Sequence, residues 1–425
     1  MACTGWKAAT TLDREMADTT LSKPRQPETR LHARLPSRRR FLLASATSAA
    51  CFGTGLARAQ DDTFRIGLLA PLSGPFASTG RQIEAAARLY LARNGDKVAG
   101  RRIELIVKDD TGVPDITKRL AQELVVNQKV KVLAGFGLTP LAFAAAPIAT
   151  QSRTPMVVMA AATSSVTEAS PFIVRTSFTA AQVVTALADW AGKNNIKRVV
   201  SLVTDYAPGI DAEKYFNERF SAGGGQIVEA VRVPLRSPDF APFLQRVRDA
   251  KPDALFAFVP AGAGAALMKQ FTERGLDKAG IRLIAEGSVT DDEMLNTMGD
   301  AALGVVTAHH YSAAHPSAAN KAFVEAFGAA NGGLRPNFMA VGAWDGMRVI
   351  CEALKATNGG EGQALVDAMK GQSFESPRGP LAIDPATRDV VHNVYIRKVE
   401  RAGGQLWNQE FATVANVKDP GKSGR

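Results

Sequence analysis

From residue 64 onward, short apolar runs alternate with amphipathic stretches, and this rhythm restricts the fold more than any other feature of the chain. Strands separated by helix-length segments need crossover helices, so they form βαβ units of a parallel sheet. Residues 64–69, 102–108, 129–136 and 155–160 read as strands. Between the first two, 81–94 carries Ile83, Ala86, Ala87, Tyr90 and Leu91 close to a helical period. Pro114-Asp115 opens the next helix, with proline at an N-terminal position and an acid in the first turn. A second series follows, with helices at 182–194, 212–222, 240–250 and 265–274 and strands at 198–204, 226–233, 253–259 and 281–285. Two serial units of similar size therefore meet near residue 180. The last section differs: long helices at 316–331 and 338–357 precede a β-hairpin built from 391–398 and 405–414. Helices followed by strands imply that the chain returns to the first unit and then to the second. The expected class is α/β, with two doubly wound parallel-sheet domains.

Upstream of this pattern, Ser37-Arg38-Arg39-Arg40-Phe41-Leu42-Leu43 fits a twin-arginine export signal. The apolar stretch 41–50 is shorter than the roughly 20 residues a membrane span requires, and Ala57-Arg58-Ala59 supplies small residues for cleavage before Gln60 or Asp61. Ser48-Ala49-Ala50-Cys51 is a second export reading, a lipoprotein site lacking the usual leucine. Residues 1–36 have no sustained apolar period, so 1–59 are expected to be a disordered extension plus signal peptide, with Met16 as another start. The formal net charge of +10 is mostly leader, since 1–59 hold +6 and leave +4 for the remainder. That weakens any case for nucleic-acid binding. Cys3 and Cys51 also fall in the leader, so Cys351 stands alone and no internal disulfide is expected. The roughly 365 residues that follow supply enough core for two domains.

Open parallel sheets bind ligands beyond the C-terminal ends of their strands. The first strand ends in Leu72-Ser73-Gly74-Pro75-Phe76-Ala77-Ser78-Thr79-Gly80, the third in Gly135-Phe136-Gly137-Leu138-Thr139-Pro140, and the fourth in Ala160-Ala161-Ala162-Thr163-Ser164-Ser165. Each offers hydroxyls and backbone amides ahead of a helix, and together they suit a carboxylate. An ordinary capped helix explains any one of them alone. Pro260-Ala261-Gly262-Ala263-Gly264-Ala265-Ala266-Leu267 imitates a dinucleotide fingerprint, with Glu286 as its acid, but Leu267 stands where Gly or Ala is needed. A tight loop facing a cleft is the expectation there. His309-His310 with His315 lack an accompanying carboxylate or cysteine cluster, and neighbours on a strand point to opposite faces, so no metal is expected. Asp109-Asp110 and Asp291-Asp292 read as caps rather than acid/base pairs. Neither a nucleophile elbow, nor a P-loop, nor a zinc-protease motif occurs, and no enzymatic activity or cofactor is expected.

Ile66-Gly67-Leu68-Leu69-Ala70-Pro71-Leu72-Ser73-Gly74-Pro75 resembles the opening strand and loop of the leucine/isoleucine/valine-binding solute receptors of ABC importers. The likeness continues through Asp109-Asp110 with Pro114, Gly135 with Thr139, Thr154-Pro155, Arg175 and Asp239-Phe240. It extends over Met298-Gly299-Asp300-Ala301-Ala302-Leu303-Gly304, Phe323-Val324, Ser376-Pro377-Arg378-Gly379-Pro380 and Val417-Lys418-Asp419-Pro420, spanning 62–420. The resemblance implies the type I periplasmic-binding-protein fold, two lobes joined by a three-crossover hinge. Residues 61–180 with 311–378 would form one lobe, and 181–310 with 379–425 the other. It also places Thr139, Ala161 and Thr163 where amino-acid binders hold the α-carboxylate and ammonium, and Glu286 near their ammonium-binding acid. Pocket positions that are aromatic in the family are Thr79, Pro208 and Pro260 here. Subgroups sharing the Ser-Pro-Arg-Gly-Pro ending go with aromatic or other carboxylic acids, so Phe76 and Tyr206 are expected against a ring. The expected ligand-binding set is Ser73, Phe76, Thr79, Leu138, Thr139, Ala161, Thr163, Tyr206, Pro208, Pro260 and Glu286. The implied role is a periplasmic receptor for a carboxylate-bearing solute, either an amino acid or an aromatic or other organic acid. Its partners would be an ABC permease and the Tat export machinery. A ligand-sensing module for a membrane receptor and a nucleotide-dependent oxidoreductase are the competing readings.

Overall fold

The computed structural model describes residues 63–236 and 239–422. The expected twin-arginine segment, Cys51 and the cleavage site lie outside the described residues.

A first sheet takes its strands from the first series. It comprises β1 (Thr63–Ala70), β2 (Lys97–Val98), β3 (Arg101–Asp109), β4 (Val132–Gly135), β5 (Met156–Val158) and β6 (Ile173–Arg175), in the order β2-β3-β1-β4-β5-β6. All pairings are parallel except that of β2 with β3. β1 and β4 are apolar along almost their whole length because helices cover both faces of the sheet. The covering helices include α1 (Ala77–Asn94), α2 (Pro114–Val126) and α3 (Thr139–Ser152). The 129–136 run starts later than its apolar pattern suggested, at Val132, because Lys129 takes a positive φ in the preceding turn.

The second sheet begins after α4 (Ala180–Lys193), whose entry is fixed by a capping box between Thr179 and Gln182. Its parallel part is β7 (Arg198–Thr204), β8 (Gln226–Val233), β9 (Ala254–Phe258), β10 (Arg282–Glu286) and β11 (Val306–His309). The helices α5 (Ala207–Ala222), α6 (Ala241–Ala250) and α7 (Gly264–Glu273) connect those strands. Three more helices follow, α8 (Ala318–Ala330), α9 (Phe338–Ala356) and α10 (Gln363–Met369), with α9 packed on α1 of the first lobe. The last strands, β12 (Ser373–Ser376), β13 (Gly379–Ile383), β14 (Val390–Ala402) and β15 (Gln405–Val417), extend the second sheet in antiparallel fashion beside β11. The second sheet is therefore mixed, because its final strands, the expected terminal hairpin among them, are joined by tight turns instead of crossover helices. Ser373–Ser376 pairs in this second sheet, ahead of the boundary drawn at 378.

The chain passes between the two lobes at 176–179, 310–317 and 370–372. Fully buried arginines tie these passages down. Arg175 pairs with Asp389 at 2.6 Å and donates to the carbonyls of Ala161 and Thr163. Arg378 pairs with Asp345 at 2.9 Å and donates to the carbonyls of Thr176 and Ser177 on the first passage. Arg397 donates to the Tyr311 carbonyl on the second passage and to the Gly287 carbonyl beyond β10. A guanidinium has five donors in a rigid fork, so one side chain satisfies several backbone carbonyls that cross away from any sheet. Among the described residues, no helix is long and apolar enough to cross a membrane.

Candidate functional site

Between the lobes, at the C-terminal ends of the parallel strands, lies a pocket of about 440 Å³ counted with its open mouth. The first lobe contributes Phe76 at the start of α1, Thr79 within it, Leu138 and Thr139 at the start of α3, and Ala161 after β5. Tyr206 and Pro208 come from the start of α5, Pro260 from beyond β9, and Glu286 from the end of β10. These residues were nominated from the sequence, and the fold brings them onto one wall-to-wall space. Ser73 and Thr163 do not line it. Ser73 is exposed, and its hydroxyl turns to the Asp109 carboxylate, which also takes the amides of Leu72 and Thr111. Thr163 is buried ahead of a short helical turn, with its carbonyl held by Arg175 at 2.7 Å. Ala161 reaches the cavity but has no free backbone groups to offer a ligand. Its amide donates to Phe136 at 3.1 Å, and its carbonyl accepts from Arg175 and Ser177.

The third strand end is built for close approach. Gly135 has a φ of +104°, and a Cβ there would fall 2.2 Å from the Leu69 carbonyl. At Gly137 a Cβ would meet Pro71 and Thr79 at 2.8–3.0 Å. Only glycine permits this backbone to run against β1 and α1, and the result is that α3 begins at the cavity wall. The Thr139 hydroxyl is buried there without a hydrogen-bond partner among the described residues. The amides of Gly137 and Thr139 likewise have no acceptor among them. Unpaired donors at a helix N-terminus attract an anion, because the helix dipole and the orphaned amides act together.

The opposite wall carries negative charge. Glu286 is fully buried, with Oε2 receiving the Ser288 amide at 3.1 Å and lying against the Ser288 hydroxyl. Its other oxygen, Oε1, is 3.1 Å from His309 Nδ1. Burial alone would raise the carboxyl's pKa, but His309 and Ser288 outweigh it and hold the group below the ordinary carboxylate value. Burial pushes His309 down to about 4, against the pull of Glu286, so its imidazole is neutral at pH 7. Burial and the Glu286 charge push the Tyr206 phenol up, which keeps its proton in place.

Between these poles the lining is apolar and aromatic. Phe258 at the end of β9, Phe178 on the first passage, and Phe338 and Met339 at the start of α9 complete it, together with Ser288. Sequence reasoning missed this group. Phe258 and Ser288 lie within two residues of nominated positions and obey the same strand-end rule. Phe178 and Phe338 come from segments that reach the cleft only through the crossover topology, and no local pattern marks them. The loop that imitated a dinucleotide fingerprint places Pro260 and Ala261 on the cavity, and Gly264 lets α7 pass 2.0 Å (Cβ-equivalent) from the Val289 carbonyl. His309 and His310 are both buried with ring centroids 4.5 Å apart. No group of three or more His, Cys, Asp or Glu with metal-ligand spacing occurs among the described residues.

At the cleft mouth the two lobes touch. The Ser164 amide donates to Asp211 on α5 at 2.9 Å, and Arg236 reaches the Gly112 carbonyl at 3.1 Å.

A family profile described as periplasmic binding protein matches residues 63–405. The Leu/Ile/Val-binding protein homolog 6 of Brucella abortus (strain 2308) is 42% identical over 380 residues, covering 88% of this chain and 97% of that protein. Among solved structures, the solute-binding protein of an ABC transporter from Rhodopseudomonas palustris BisB5, in complex with 3,4-dihydroxybenzoic acid, is 62% identical. It superposes with a TM-score of 0.84, covering 85% of this chain and 100% of the other. A second, from Rhodopseudomonas palustris HaA2 in complex with p-hydroxybenzoic acid, is 40% identical with a TM-score of 0.83 over 85% and 100% of the two chains.

Proposed function

The chain belongs to the periplasmic binding proteins, and from that premise we propose that its cleft receives an aromatic carboxylate bearing a ring hydroxyl. The protein is an exported solute-binding receptor of an ABC importer, without catalytic activity of its own, and it binds a small carboxylate-bearing solute. The finer reading rests on one observation, the polarity of the cavity. Unpaired donors at the start of α3 face a buried, ionised Glu286 across aromatic walls. A ligand carboxylate is attracted to the first pole and repelled by the second, which orients the molecule. Its ring then lies among Phe76, Phe178, Tyr206 and Phe258, and a hydroxyl on the far side donates to Glu286. Proteins that are 62% and 40% identical to this one are complexed with 3,4-dihydroxybenzoic and p-hydroxybenzoic acid, ligands of that shape.

A branched-chain amino acid is the second reading, favoured by the name of the Brucella relative. It would have to satisfy three ammonium N–H donors. Ala161, one of the positions that the family uses for the head group, has its amide and carbonyl engaged inside the protein. A phenol needs one acceptor and an ammonium needs three, so the satisfied backbone supports the phenol.

Binding at the interface of the lobes favours the closed form by its differential affinity, and closure changes the outer face that a permease meets. Two lobes, 61–180 with 311–372 and 181–310 with 373–425, are the proposed moving bodies, the last boundary shifted from 378 by the pairing of β12 in the second sheet. Export by the twin-arginine route is part of the same proposal, supported by the order of arginines, apolar run and small residues in 37–59. A thermal-shift panel of benzoate, 4-hydroxybenzoate, 3,4-dihydroxybenzoate, leucine and short dicarboxylates tests the ligand class. Stabilisation by the hydroxybenzoates above all others supports it; stabilisation by leucine alone replaces it with the amino-acid reading.

A further inference from the structure

Glu286 and its surroundings carry one step more, which rests on the ligand class proposed above. His309, the last residue of β11, has no exposed surface and does not line the cavity. Its ring is enclosed by Phe338 at 4.4 Å, His310 at 4.5 Å and Phe178 at 5.0 Å between centroids. Nδ1 lies 3.1 Å from Glu286 Oε1, and neither ring nitrogen makes a hydrogen bond of good geometry among the described residues. The strand end is shaped to allow this. A Cβ on Gly287 would fall 2.5 Å from His309 Cβ and 2.4 Å from the Arg397 guanidinium, so any larger residue would push the imidazole away from Glu286.

Acceptor capacity decides what Glu286 offers to a ligand. Each carboxylate oxygen accepts about two hydrogen bonds. Oε2 is occupied by the amide and hydroxyl of Ser288. Oε1 lies 3.1 Å from His309 Nδ1 but outside hydrogen-bond geometry, so on a residue that lines the cavity it keeps acceptor capacity for a ligand. We propose that His309 is a positioning residue for ligand selectivity: its Nδ1–H fixes Glu286 Oε1 so that a single acceptor direction faces a ring hydroxyl. The histidine touches no ligand atom and acts through the carboxylate alone. A neutral ring suits this role, because an imidazolium would form a closed ion pair with Glu286 and weaken it as an acceptor. Burial and the nearby guanidinium groups of Arg397 and Arg378 keep it neutral, opposed by Glu286.

The test compares dissociation constants of benzoate and 4-hydroxybenzoate for wild type, His309→Leu and His309→Asn, the last of which can still donate near the Nδ1 position. Wild type is expected to favour 4-hydroxybenzoate. In His309→Leu that preference should fall by about tenfold while benzoate affinity stays within about threefold, as for loss of one well-placed hydrogen bond. His309→Asn should restore most of it. An unchanged preference in His309→Leu overturns the proposal, and so does an equal loss for both ligands, which marks a packing role. A second measurement needs no ligand. In the 15N spectrum of histidine-labelled protein at pH 7, His309 should be the neutral Nδ1–H tautomer. An Nε2–H tautomer or an imidazolium overturns the proposal even if the ligand proves to be of another class. Failure of wild type to bind either benzoate, with the Nδ1–H tautomer present, sinks the ligand reading and leaves the His309–Glu286 contact standing.

Discussion

Replacing Arg378 by methionine removes the cation that ties the first passage between the lobes to α9. Its Nε donates to Asp345 at 2.9 Å and its Nη1 to the Ser177 carbonyl at 2.7 Å, with Nη2 on the Thr176 carbonyl. Both partners of the ion pair are fully buried. In the variant, Asp345 keeps only the Ser376 hydroxyl, at 3.0 Å, and two buried carbonyls lose a donor. Breaking a buried pair on one side costs about 3–5 kcal/mol, most of it the uncompensated charge left behind. At about 2 °C per kcal/mol for a chain this large, the melting temperature should fall by roughly 6–10 °C. The loss should also depend on pH. Burial already pushes the Asp345 carboxyl up, with Arg378 the main opposing group, so its pKa rises further in the variant. A folded-state carboxyl that holds its proton too tightly loses stability as pH climbs from the unfolded value through the folded one. Arg378→Met is therefore expected to lose more at pH 8 than at pH 5. The double variant Arg378→Met/Asp345→Leu exchanges the pair for apolar groups and should recover to within about 1 kcal/mol of wild type or exceed it. Urea unfolding of the four proteins of the cycle measures this. A loss below about 1 kcal/mol in the single variant, or no recovery in the double, refutes the reasoning.

Thr139→Val removes the unpaired hydroxyl at the start of α3 and should weaken benzoate and 4-hydroxybenzoate alike, by about 10- to 100-fold, the worth of a hydrogen bond to a charged group. Calorimetric titration checks it, and unchanged affinity places the carboxylate elsewhere. His310 is buried and stacked on Phe178 at 4.7 Å, and burial drives its pKa well below the ordinary value, helped by the charges around it. It contributes stability fully above the unfolded value near 6.5 and loses it as pH falls, because the unfolded chain takes up a proton that the folded one refuses. Relative to wild type, His310→Phe should gain about 1.4 kcal/mol per unit below pH 6.5, read from urea midpoints at several pH values; a difference independent of pH contradicts it. Changing Arg38, Arg39 and Arg40 together to lysine should retain the protein in the cytoplasm, as cell fractionation would show, whereas normal export removes the twin-arginine assignment.

Periodicity made the two series of βα units legible, because buried parallel strands and their crossover helices carry opposite patterns over many residues. Short elements were another matter. Ile173–Arg175 and Gly379–Ile383 are too brief to show a period, and they form because β5 and β14 offer them edges. Tyr206 and Glu286 came from the resemblance to the leucine/isoleucine/valine-binding receptors, whereas the strand-end rule found Thr139, since glycine and proline mark that loop. It also put Ser73 on the site, where the hydroxyl instead caps Asp109, because a strand end has two sides and the sequence does not say which one faces the partner lobe. Ala161 shows a further limit. It stands at the cavity, yet Arg175, fourteen residues on in the chain's next strand, takes up the carbonyl that position alone would leave open. His309 looked like a poor metal ligand and nothing else, and its contact with Glu286 exists only because β10 and β11 pair in register.

The polarity of the cavity is best tested by a crystal structure of the mature protein with 4-hydroxybenzoate. The carboxylate is predicted at the Thr139 hydroxyl and the start of α3, with the ring between Phe76 and Tyr206 and the phenol within hydrogen-bond distance of Glu286. A ligand lying the other way round, with its carboxylate beside Glu286, or bound outside the cleft, would contradict it.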